Sequence, residues 1–317
     1  MGIKGIGEFN LIEKLTSIID IKDKDVLVGF GDDCACINVN GKLLLFSSDV
    51  QIENVHFIKN KIKPEHLGWK LISVNVSDIV ACGGVPKWSL ISLSVPEETK
   101  LSFLEDIYRG IKKALDFYSL SLIGGNTSKS FELVLDLFIV GETERFVSRS
   151  GAKKGDTVFL SGYTGLSKAG LELILMDKKI YEDWEEEIIM YHTKPTARID
   201  IQPLISEFAN SCIDVSDGLV GDLSHIEKMS NVKIVIQKEN LPVHPLLKRF
   251  CNKYGKDPYE YILYGGEDYQ LVFTVEKKNE KKIKNAFKIG YVEEGNGIFL
   301  KEEKKLIKLK EKGFEHI

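Results

Sequence analysis

Strand-like and helix-like patterns alternate along the whole of this 317-residue chain. Short apolar runs typical of strands are separated by longer stretches in which apolar residues recur every three or four positions, as on one face of a helix. The clearest helix covers residues 64–82, because Pro64 can begin a helix and Gly83-Gly84 and Pro86 end it. Since alternating strands and helices pack as layers, the sequence predicts a fold of the α/β (α+β) class.

The remaining elements follow from the same patterns. Helices are predicted over residues 8–19, 101–118, 166–176, 184–191, 196–210 and 219–229. Strands are predicted over residues 26–28, 43–46, 88–95, 120–123, 132–140, 157–161, 233–236, 269–275, 287–291 and 297–300. The GGNTSKS segment at 124–130 is predicted to be a loop between two of these strands.

A polar, glycine-bearing segment, SRSGAKKGD, interrupts the apolar pattern at residues 148–156, and the pattern restarts after it. This composition is typical of a linker, and a chain of this length has room for two domains. We therefore predict an N-terminal domain over residues 1–147 and a C-terminal domain over residues 148–317.

The charge balance excludes several classes of partner. With 43 Lys and Arg against 47 Asp and Glu, the net charge is −4, whereas non-specific binding to nucleic acid or to an anionic membrane needs a basic excess. No apolar run approaches the ~20 residues that span a bilayer, and we expect no secretory signal in the first residues. The five cysteines lack zinc-ligand spacing and are expected to be reduced. We predict a cytoplasmic protein with no nucleic-acid partner and no membrane partner.

Acidic residues recur in short polar turns that follow apolar strands or begin helices. They are Asp32, Asp33, Asp49, Asp78, Asp214, Asp217, Glu267 and Asp268. Turns at strand ends are where α/β folds place ligand-binding groups, and carboxylates that converge there repel one another unless cations lie between them. Because oxygen ligands of this kind suit Mg²⁺ shared with substrate phosphates, the pattern indicates a magnesium site.

Single members of this set also have a structural explanation. Asp214 or Asp217 lies just before the helix predicted at 219–229, where an N-cap is the commoner role. Asp78 is different because it interrupts an apolar helix, in which an unpaired buried carboxylate is unfavourable, so a functional role is favoured for Asp78. His56, in the segment NVHF, is more typical of a packed histidine than of a catalytic one.

The sequence contains neither a familiar phosphate loop nor a covalent nucleophile. GGNTSKS has Ser128 where a P-loop has glycine, and GIGEFN and GFGDDC lack the third glycine of G-x-G-x-x-G. The G-x-S-x-G motif is absent, and there is no signature of a Ser/His/Asp or Cys/His pair. We therefore predict that no side chain acts as a covalent nucleophile or general base.

Several motifs occur together in an order that resembles the thiamine-monophosphate kinases. They are GDDCACI, SSDVQIENVHF, VNVSDIVACGGVP, IGGNTSKS, SRSGAKKGD, IDVSDGLVGDL and LYGGEDYQLVFTV. The opening GEFNLIEKL and the closing KGFEHI also match, so the resemblance spans nearly the whole chain. Some motifs are shared with a superfamily that includes aminoimidazole-ribonucleotide synthetase, selenophosphate synthetase and a hydrogenase-maturation protein. The pairing of DVQIENVHF with GGEDYQL is what resembles the kinases in particular.

This resemblance implies ATP-dependent phosphorylation of thiamine monophosphate to thiamine diphosphate by a homodimer that needs several Mg²⁺ ions. It also implies that the N-terminal mixed-sheet domains pair in the dimer and that the active site lies in the cleft between the two domains. The metal-binding positions of the family hold Asp33, Ser47, Ser48, Asp49, Asp78, Asn126, Asp214 and Asp217. Nucleotide-contacting positions hold Gly125, Asn126, Arg149 and Ser216, and substrate-contacting positions hold His56, Glu267 and Phe314.

The implied chemistry agrees with the missing nucleophile–base pair. The attacking group is a phosphate oxygen of the substrate, which is largely ionised at pH 7 because its second pKa is about 6. Several cations and Arg149 would screen the repulsion between two polyanions and stabilise the in-line transition state. We therefore expect direct transfer without a phosphoenzyme.

Asn126 departs from the family pattern, which has a metal-binding aspartate in this segment. An amide oxygen can bind Mg²⁺ but brings no negative charge, so either one metal binds less tightly or neighbouring carboxylates and ATP oxygens compensate. Two other functions stay open, another ATP-dependent synthetase of the same superfamily and a non-catalytic protein that binds nucleotides or thiamine phosphates. Asn126 favours the non-catalytic protein, and the remaining carboxylates argue against it.

Overall fold

The computed structural model describes residues 5–310, which form two β-sheets with helices packed against them. The helices are α1 (Glu8–Thr16), α2 (Pro64–Ala81), α3 (Leu101–Tyr118), α4 (Leu166–Leu175), α5 (Asp183–Thr193), α6 (Gln202–Phe208), α7 (Leu219–Ser230), α8 (Pro245–Tyr254) and α9 (Pro258–Tyr264). The strands are β1 (Val26–Val28), β2 (Ala35–Val39), β3 (Lys42–Ile52), β4 (Val85–Val95), β5 (Ser121–Lys129), β6 (Val134–Thr143), β7 (Thr157–Leu160), β8 (Ala209–Asp214), β9 (Lys233–Gln237), β10 (Leu271–Val275), β11 (Phe287–Glu293), β12 (Gly297–Glu302) and β13 (Lys305–Lys308). The interleaving of strands and helices confirms the predicted α/β (α+β) class.

The first sheet has the strand order β1-β2-β3-β6-β4-β5. Its longest pairing joins β3 and β6 as antiparallel neighbours over the full length of β6, and β5 pairs parallel with β4 at the edge. Side chains alternate between the two faces, as they do in any strand. Leu135, Leu137 and Ile139 are buried on one face of β6, whereas Phe138 is exposed on the other.

Helix α2 lies between the two sheets. It contacts β3, β4 and β6 of the first sheet and β8 of the second, which explains why nearly every residue after its first turn is buried. Helix α3 packs closely beside it because two glycines face the contact. A Cβ on Gly68 would lie 2.0 Å from the carbonyl oxygen of Ile107, and a Cβ on Gly110 would lie 1.9 Å from that of Glu65.

The second sheet has the strand order β13-β12-β9-β11-β7-β10-β8. Strand β10 is buried along its whole length, because it lies between β7 and β8 and has apolar clusters on both faces. On the face toward α2, Phe159 and Phe273 stack with ring centroids 5.6 Å apart. The other face packs against α4, α7 and α8.

One apolar cluster joins the two sheets. It contains residues of α2 and the first sheet together with Phe159, Leu271 and Phe273 of the second. The first sheet ends with β6 at Thr143 and the second begins with β7 at Thr157. The boundary between residues 147 and 148 falls in this interval, and the division into two domains stays a prediction.

The predicted loop at 124–130 is wrong, because most of this segment belongs to β5. The strand lies at the sheet edge with exposed side chains, so its sequence is polar and rich in glycine. Gly125 is needed where β5 meets β4, since a Cβ there would lie 1.9 Å from the carbonyl oxygen of Ile91.

The helix predicted over 196–210 is wrong in part. A short 3-10 turn precedes α6, and the residues after α6 form β8, which pairs with β10. Arg145 ends the helix by donating to three carbonyl groups near its last turn. Pairing with β10 then fixes the extended conformation of β8. This is a tertiary effect, which the local sequence pattern does not predict.

Two further properties of the described residues bear on the predictions. All five cysteines are free and buried, as expected. Among residues 5–310, none of the helices combines the length and the apolar character needed to cross a membrane.

Candidate active site

Three aspartates from separate parts of the chain meet at one point. Asp33 lies in the turn before β2, Asp78 in the last turns of α2 and Asp214 at the end of β8. One carboxylate oxygen from each of them lies within 4.8 Å of the other two. The fold therefore brings together three of the predicted metal ligands, which we call the aspartate cluster.

Serine hydroxyl groups hold two of these carboxylates. Ser47 Oγ of β3 donates to Asp78 Oδ2 at 2.5 Å, and Ser77 Oγ donates to Asp214 Oδ2 at 2.6 Å. Hydrogen bonds to a carboxylate fix its orientation. They hold these two carboxylates toward each other despite their like charge.

Arg149, in the predicted linker, reaches the same cluster. Its Nε lies 3.1 Å from Asp33 Oδ1, and its Nη2 donates to the same oxygen. The other oxygen, Asp33 Oδ2, is buried and has no hydrogen-bond partner among the described residues. The neighbouring Asp32 accepts from Ser148 Oγ at 2.5 Å and from the backbone N–H of Arg149 at 3.2 Å. The connection between the sheets is thus tied to the turn that carries Asp33.

Burial and mutual repulsion raise the pKa values of the clustered carboxyl groups. Burial raises the pKa of Asp33 despite the opposing charge of Arg149. The pKa of Asp78 lies well above its ordinary value because of burial and then the charges of Asp49 and Asp214. Burial, followed by the charge of Asp33, raises the pKa of Asp214 to about 8. Without a cation, the aspartate cluster does not carry its full negative charge at neutral pH.

The donor set of the aspartate cluster fits a hard divalent cation. Its three residues offer only oxygen, which Mg²⁺ prefers. A cation beside Asp33 Oδ2 would satisfy the buried oxygen that lacks a partner and would favour the ionised carboxylates. Cys82 Sγ lies within 4.8 Å of oxygens of Asp32 and Asp33, but burial raises the pKa of its thiol well above the ordinary value. A protonated thiol is a poor metal ligand.

The loop between β8 and α7 corrects one interpretation. The N-cap of α7 is Gly218, with a φ of 117°, and no side chain caps this helix. Asp222 instead accepts from the backbone N–H groups of Asp217 and Gly218, at 3.3 and 3.1 Å. Reading Asp214 or Asp217 as an N-cap is therefore wrong, because a carboxylate inside the helix holds the loop. Asp222 is not among the residues predicted from the sequence.

Ser48 and Asn126 lie on the exposed face of the first sheet, away from α2 and Asp78. Ser48 Oγ donates to Asp136 Oδ1 at 3.1 Å. Asn126 lies opposite Ser92, which in turn lies opposite Asp136. Gly125, the neighbour of Asn126, belongs to the same edge strand. Five predicted residues contact one another at the aspartate cluster: Asp33, Ser47, Asp78, Arg149 and Asp214.

Glu267 forms a second group of contacts. Its backbone has a φ of 60°, and its N–H donates to the carbonyl oxygen of Ser216 at 2.7 Å. Lys70 Nζ lies 2.7 Å from Glu267 Oε1, and His192 Nδ1 lies 3.3 Å from Oε2. Burial alone would raise the pKa of Glu267, but the charge and the hydrogen bond of Lys70, with smaller effects of the nearby His192 and His56, outweigh it and lower that pKa. The Glu267 carboxylate is therefore ionised at neutral pH.

Two further predicted residues are Asp49, which the structure describes, and Phe314, which it does not. Asp49 adds its negative charge to the cluster, since it raises the pKa of Asp78. Phe314 lies outside the described residues. Lys70 and His192 were not predicted, although Lys70 is a charged residue in an apolar helix, the same signal that identified Asp78.

Comparison with known proteins places this geometry in a family. Residues 31–143 match the model of the AIR synthase related protein, N-terminal domain. The chain is 48% identical over 316 residues to the thiamine-monophosphate kinase of Aquifex aeolicus (strain VF5), and the alignment covers 100% of both chains. This chain belongs to the thiamine-monophosphate kinase family. It is also 35% identical over 326 residues to the thiamine-monophosphate kinase of Bacillus subtilis (strain 168), covering 98% of this chain and 99% of that one.

A solved structure of the thiamine-monophosphate kinase family has the same architecture. It is AaThiL complexed with AMPPCP and TMP, which is 48% identical to this chain and superimposes with a TM-score of 0.93. The superposition covers 100% of this chain and 99% of AaThiL. The family resemblance inferred from the motifs is thus confirmed, and so is the mixed α/β fold with two sheets.

Proposed function

We propose that this chain transfers a phosphoryl group from ATP to thiamine monophosphate, giving thiamine diphosphate and ADP. The observation that carries the proposal is the aspartate cluster, whose oxygen donors meet in a chain that aligns end to end with the Aquifex kinase. The complex of AaThiL with AMPPCP and TMP supports the same pair of substrates.

Mg²⁺ is the cation that we assign to the aspartate cluster. Asp33, Asp78 and Asp214 would hold it. The further ligands that we propose for several ions are Ser47, Ser48, Asp49, Asn126 and Asp217. When bound, Mg²⁺ neutralises phosphate charge and polarises the transferred group. The buried Asp33 Oδ2, which lacks a hydrogen-bond partner in the described part of the chain, supports this assignment.

The two substrates are assigned to different sets of residues. For ATP these are Gly125, Asn126, Arg149 and Ser216. For thiamine monophosphate they are His56, Glu267 and Phe314. Arg149 has a planar fork of donors that suits phosphate oxygens as well as the carboxylate it now contacts. Glu267 offers an ionised carboxylate, which suits N–H donors and positive charge.

The proposed reaction needs no nucleophile from the protein. The attacking oxygen belongs to the phosphate of thiamine monophosphate, whose second pKa of about 6 leaves it largely ionised at pH 7. The hydroxyl groups of Ser47 and Ser77 donate to buried carboxylates, which makes them orienting groups. Arg149 stabilises the negative charge on the transferred group. The phosphoryl group therefore passes directly from ATP to the second substrate, without a phosphoenzyme.

We also propose that the chain acts as a homodimer in the cytoplasm. The face of the first sheet away from α2 exposes Trp88, Leu90 and Phe138, and Phe46 stacks on Phe138 with ring centroids 6.0 Å apart. An apolar surface of this kind favours pairing with a second copy. Free buried cysteines are typical of a reducing compartment.

A product assay tests the proposed function. The purified chain is incubated with ATP, Mg²⁺ and thiamine monophosphate, and the products are separated by chromatography. We expect thiamine diphosphate and ADP in equal amounts. Consumption of ATP without thiamine diphosphate would instead indicate another synthetase of the superfamily. Bound ATP without turnover would indicate a non-catalytic binding protein.

A further inference from the structure

In the ion pair between Lys70 and Glu267, the lysine is buried and the glutamate is partly exposed. The Lys70 side chain is 1% exposed, whereas the Glu267 side chain is 29% exposed. A buried ammonium group is unfavourable without a partner, and its Nζ lies 2.7 Å from Glu267 Oε1. Lys70 thus supports Glu267 from inside the protein, and part of the Glu267 side chain stays exposed.

The second oxygen of Glu267 lies near a neutral ring rather than near a second full charge. His192 Nδ1 lies 3.3 Å from Glu267 Oε2 and 3.0 Å from Ser167 Oγ. Burial and the charge of Lys70 lower the pKa of His192 to about 4, so this ring is neutral at pH 7. The neutral His192 ring therefore adds no charge here, and Lys70 supplies the positive charge in contact with the Glu267 carboxylate.

The backbone of Glu267 is fixed as well. Its φ of 60° is unusual for a residue with a side chain. The N–H of Glu267 donates to the Ser216 carbonyl at 2.7 Å, and the N–H of Tyr269 donates to the Val215 carbonyl at 2.9 Å. A carboxylate held at its backbone and by its ion pair with Lys70 is preorganised for a ligand.

We propose that Lys70 is a positioning and specificity residue that keeps Glu267 an ionised acceptor for the amino group of the pyrimidine ring of thiamine. This inference rests on the proposed function. An ionised carboxylate can only accept hydrogen bonds, so it favours a ligand that offers N–H donors or positive charge. Lys70 itself is closed off from the ligand and acts through Glu267.

The test compares the KM values of the two substrates in a K70M variant. We expect the KM for thiamine monophosphate to rise roughly tenfold, and the KM for ATP and kcat to change by less than about threefold. K70R, which keeps the charge, is expected to restore a substantial part of the affinity. A matched control is K178M, because Lys178 also pairs with a buried glutamate, Glu185, at 2.7 Å. K178M should leave both KM values unchanged.

A double-variant comparison tests whether Lys70 acts through Glu267. We expect E267Q and E267Q/K70M to have KM values for thiamine monophosphate that agree within about threefold. Independent, multiplied effects of the two substitutions would overturn the inference. An unchanged KM for thiamine monophosphate in folded K70M, or an equal rise in the KM for ATP, would also overturn it.

A ligand-side measurement keeps the inference testable if K70M does not fold. The wild-type chain is assayed with oxythiamine monophosphate, in which a carbonyl group replaces the pyrimidine amino group. We expect its KM to be roughly tenfold above that of thiamine monophosphate, because an acceptor then faces an acceptor. Equal KM values would overturn the inference. If the wild type makes no thiamine diphosphate at all, the proposed function itself is rejected.

Discussion

The buried charged residues form two different arrangements, a cluster of like charges and a pair of opposite charges. In the aspartate cluster, three carboxylates lie close together, Asp33 pairs with Arg149, and burial raises the pKa values of all three. Lys70 and Glu267 instead form a pair of opposite charges, and the pKa of Glu267 is lowered. The aspartate cluster suits a cation that arrives with a substrate. In the Lys70–Glu267 pair the two charges balance, and Glu267 is a permanent hydrogen-bond acceptor.

Removal of one carboxylate from the aspartate cluster should lower the activity without lowering the stability. We expect D78N to lower kcat/KM by about 100-fold or more, since a ligand of the Mg²⁺ that neutralises the phosphates is lost. Without Mg²⁺, its free energy of unfolding should stay the same or rise by about 1 kcal/mol, because the variant relieves repulsion. Steady-state kinetics and urea unfolding measure the two quantities.

The control for D78N is D156N. Asp156 is also buried, but it accepts from the Lys153 N–H and from Asn210 Nδ2 in the turn before β7. D156N should lose stability and keep its kcat/KM within about threefold. A D78N variant that keeps full activity would contradict the assignment of Asp78 as a metal ligand.

Asn126 gives a prediction about the metal requirement. If the missing charge at this position weakens one metal site, N126D should lower the Mg²⁺ concentration for half-maximal rate by about threefold or more. N240D adds the same charge at an exposed position after β9 and should not change that concentration. An unchanged Mg²⁺ dependence in N126D would mean that neighbouring oxygens already compensate.

At the scale of elements, α5 is connected to its neighbours through histidines that stay neutral. His66 of α2 hydrogen-bonds Thr193 of α5, and His192 of α5 hydrogen-bonds Ser167 of α4. Burial, followed by nearby lysines, lowers the pKa of each histidine to about 4. The packing of α5 therefore depends on two imidazoles that do not bind a second proton in the folded state.

This packing predicts that the two histidines destabilise the protein in mild acid. An unfolded histidine has a pKa of about 6.5, so between that value and pH 4 these two side chains bind more protons in the unfolded chain than in the folded one. Their contribution to the free energy of unfolding should fall over this range by roughly 1–3 kcal/mol, whereas the buried aspartates with raised pKa values act in the opposite direction. Urea unfolding from pH 7 to pH 4 of the wild type and of the H66Q/H192Q variant measures the difference. The wild type should lose this much more stability than the variant, and parallel pH dependences would contradict the assignment.

Several helices and strands could be predicted from the sequence because their local pattern of apolar residues agrees with the way they pack in the fold. Helix α3 has one apolar face and was predicted over its full length. Helices α8 and α9 were missed although Pro245 and Pro258 stand at their first positions, each after a residue whose side chain caps the helix. Strands β5 and β8 were mistaken because their conformation depends on pairing with β4 and β10.

The sequence predicted some residues of the site and missed others, as it did for the helices and strands. Asp33 and Asp214 follow the turn and strand pattern of binding sites, and Asp78 interrupts an apolar helix, so each could be found from its neighbours in the sequence. Asp222 was missed because its role depends on a loop whose shape the sequence does not display. Lys70 carried the same local signal as Asp78, and what the sequence did not display was its partner, Glu267.

At the scale of the whole molecule, the two sheets share one apolar cluster around α2, and the aspartate cluster draws residues from both sides of it. The two halves are therefore joined at the site. In the part of the chain that the structure describes, the other face of the first sheet exposes apolar side chains along β4 and β6. In the proposed dimer, a second copy of the chain would cover that face.

The proposed dimer is tested by placing a charge on this face. Light scattering after gel filtration should give twice the mass of one chain for the wild type, and F138D should give the mass of one chain, because a buried unpaired carboxylate is unfavourable in an interface. I180D changes another highly exposed apolar residue, between α4 and α5, and should stay dimeric. A monomeric wild type, or a dimeric F138D, would contradict the assignment of this face.

Direct transfer between two bound substrates is the central claim, and a single-turnover experiment with ATP labelled in its terminal phosphate tests it most directly. The enzyme is mixed with labelled ATP, Mg²⁺ and thiamine monophosphate, and samples are quenched over time. The account predicts that label leaves ATP and enters thiamine diphosphate at the same rate, with no label bound to the protein. Label trapped on the protein, or released only as inorganic phosphate, would contradict it.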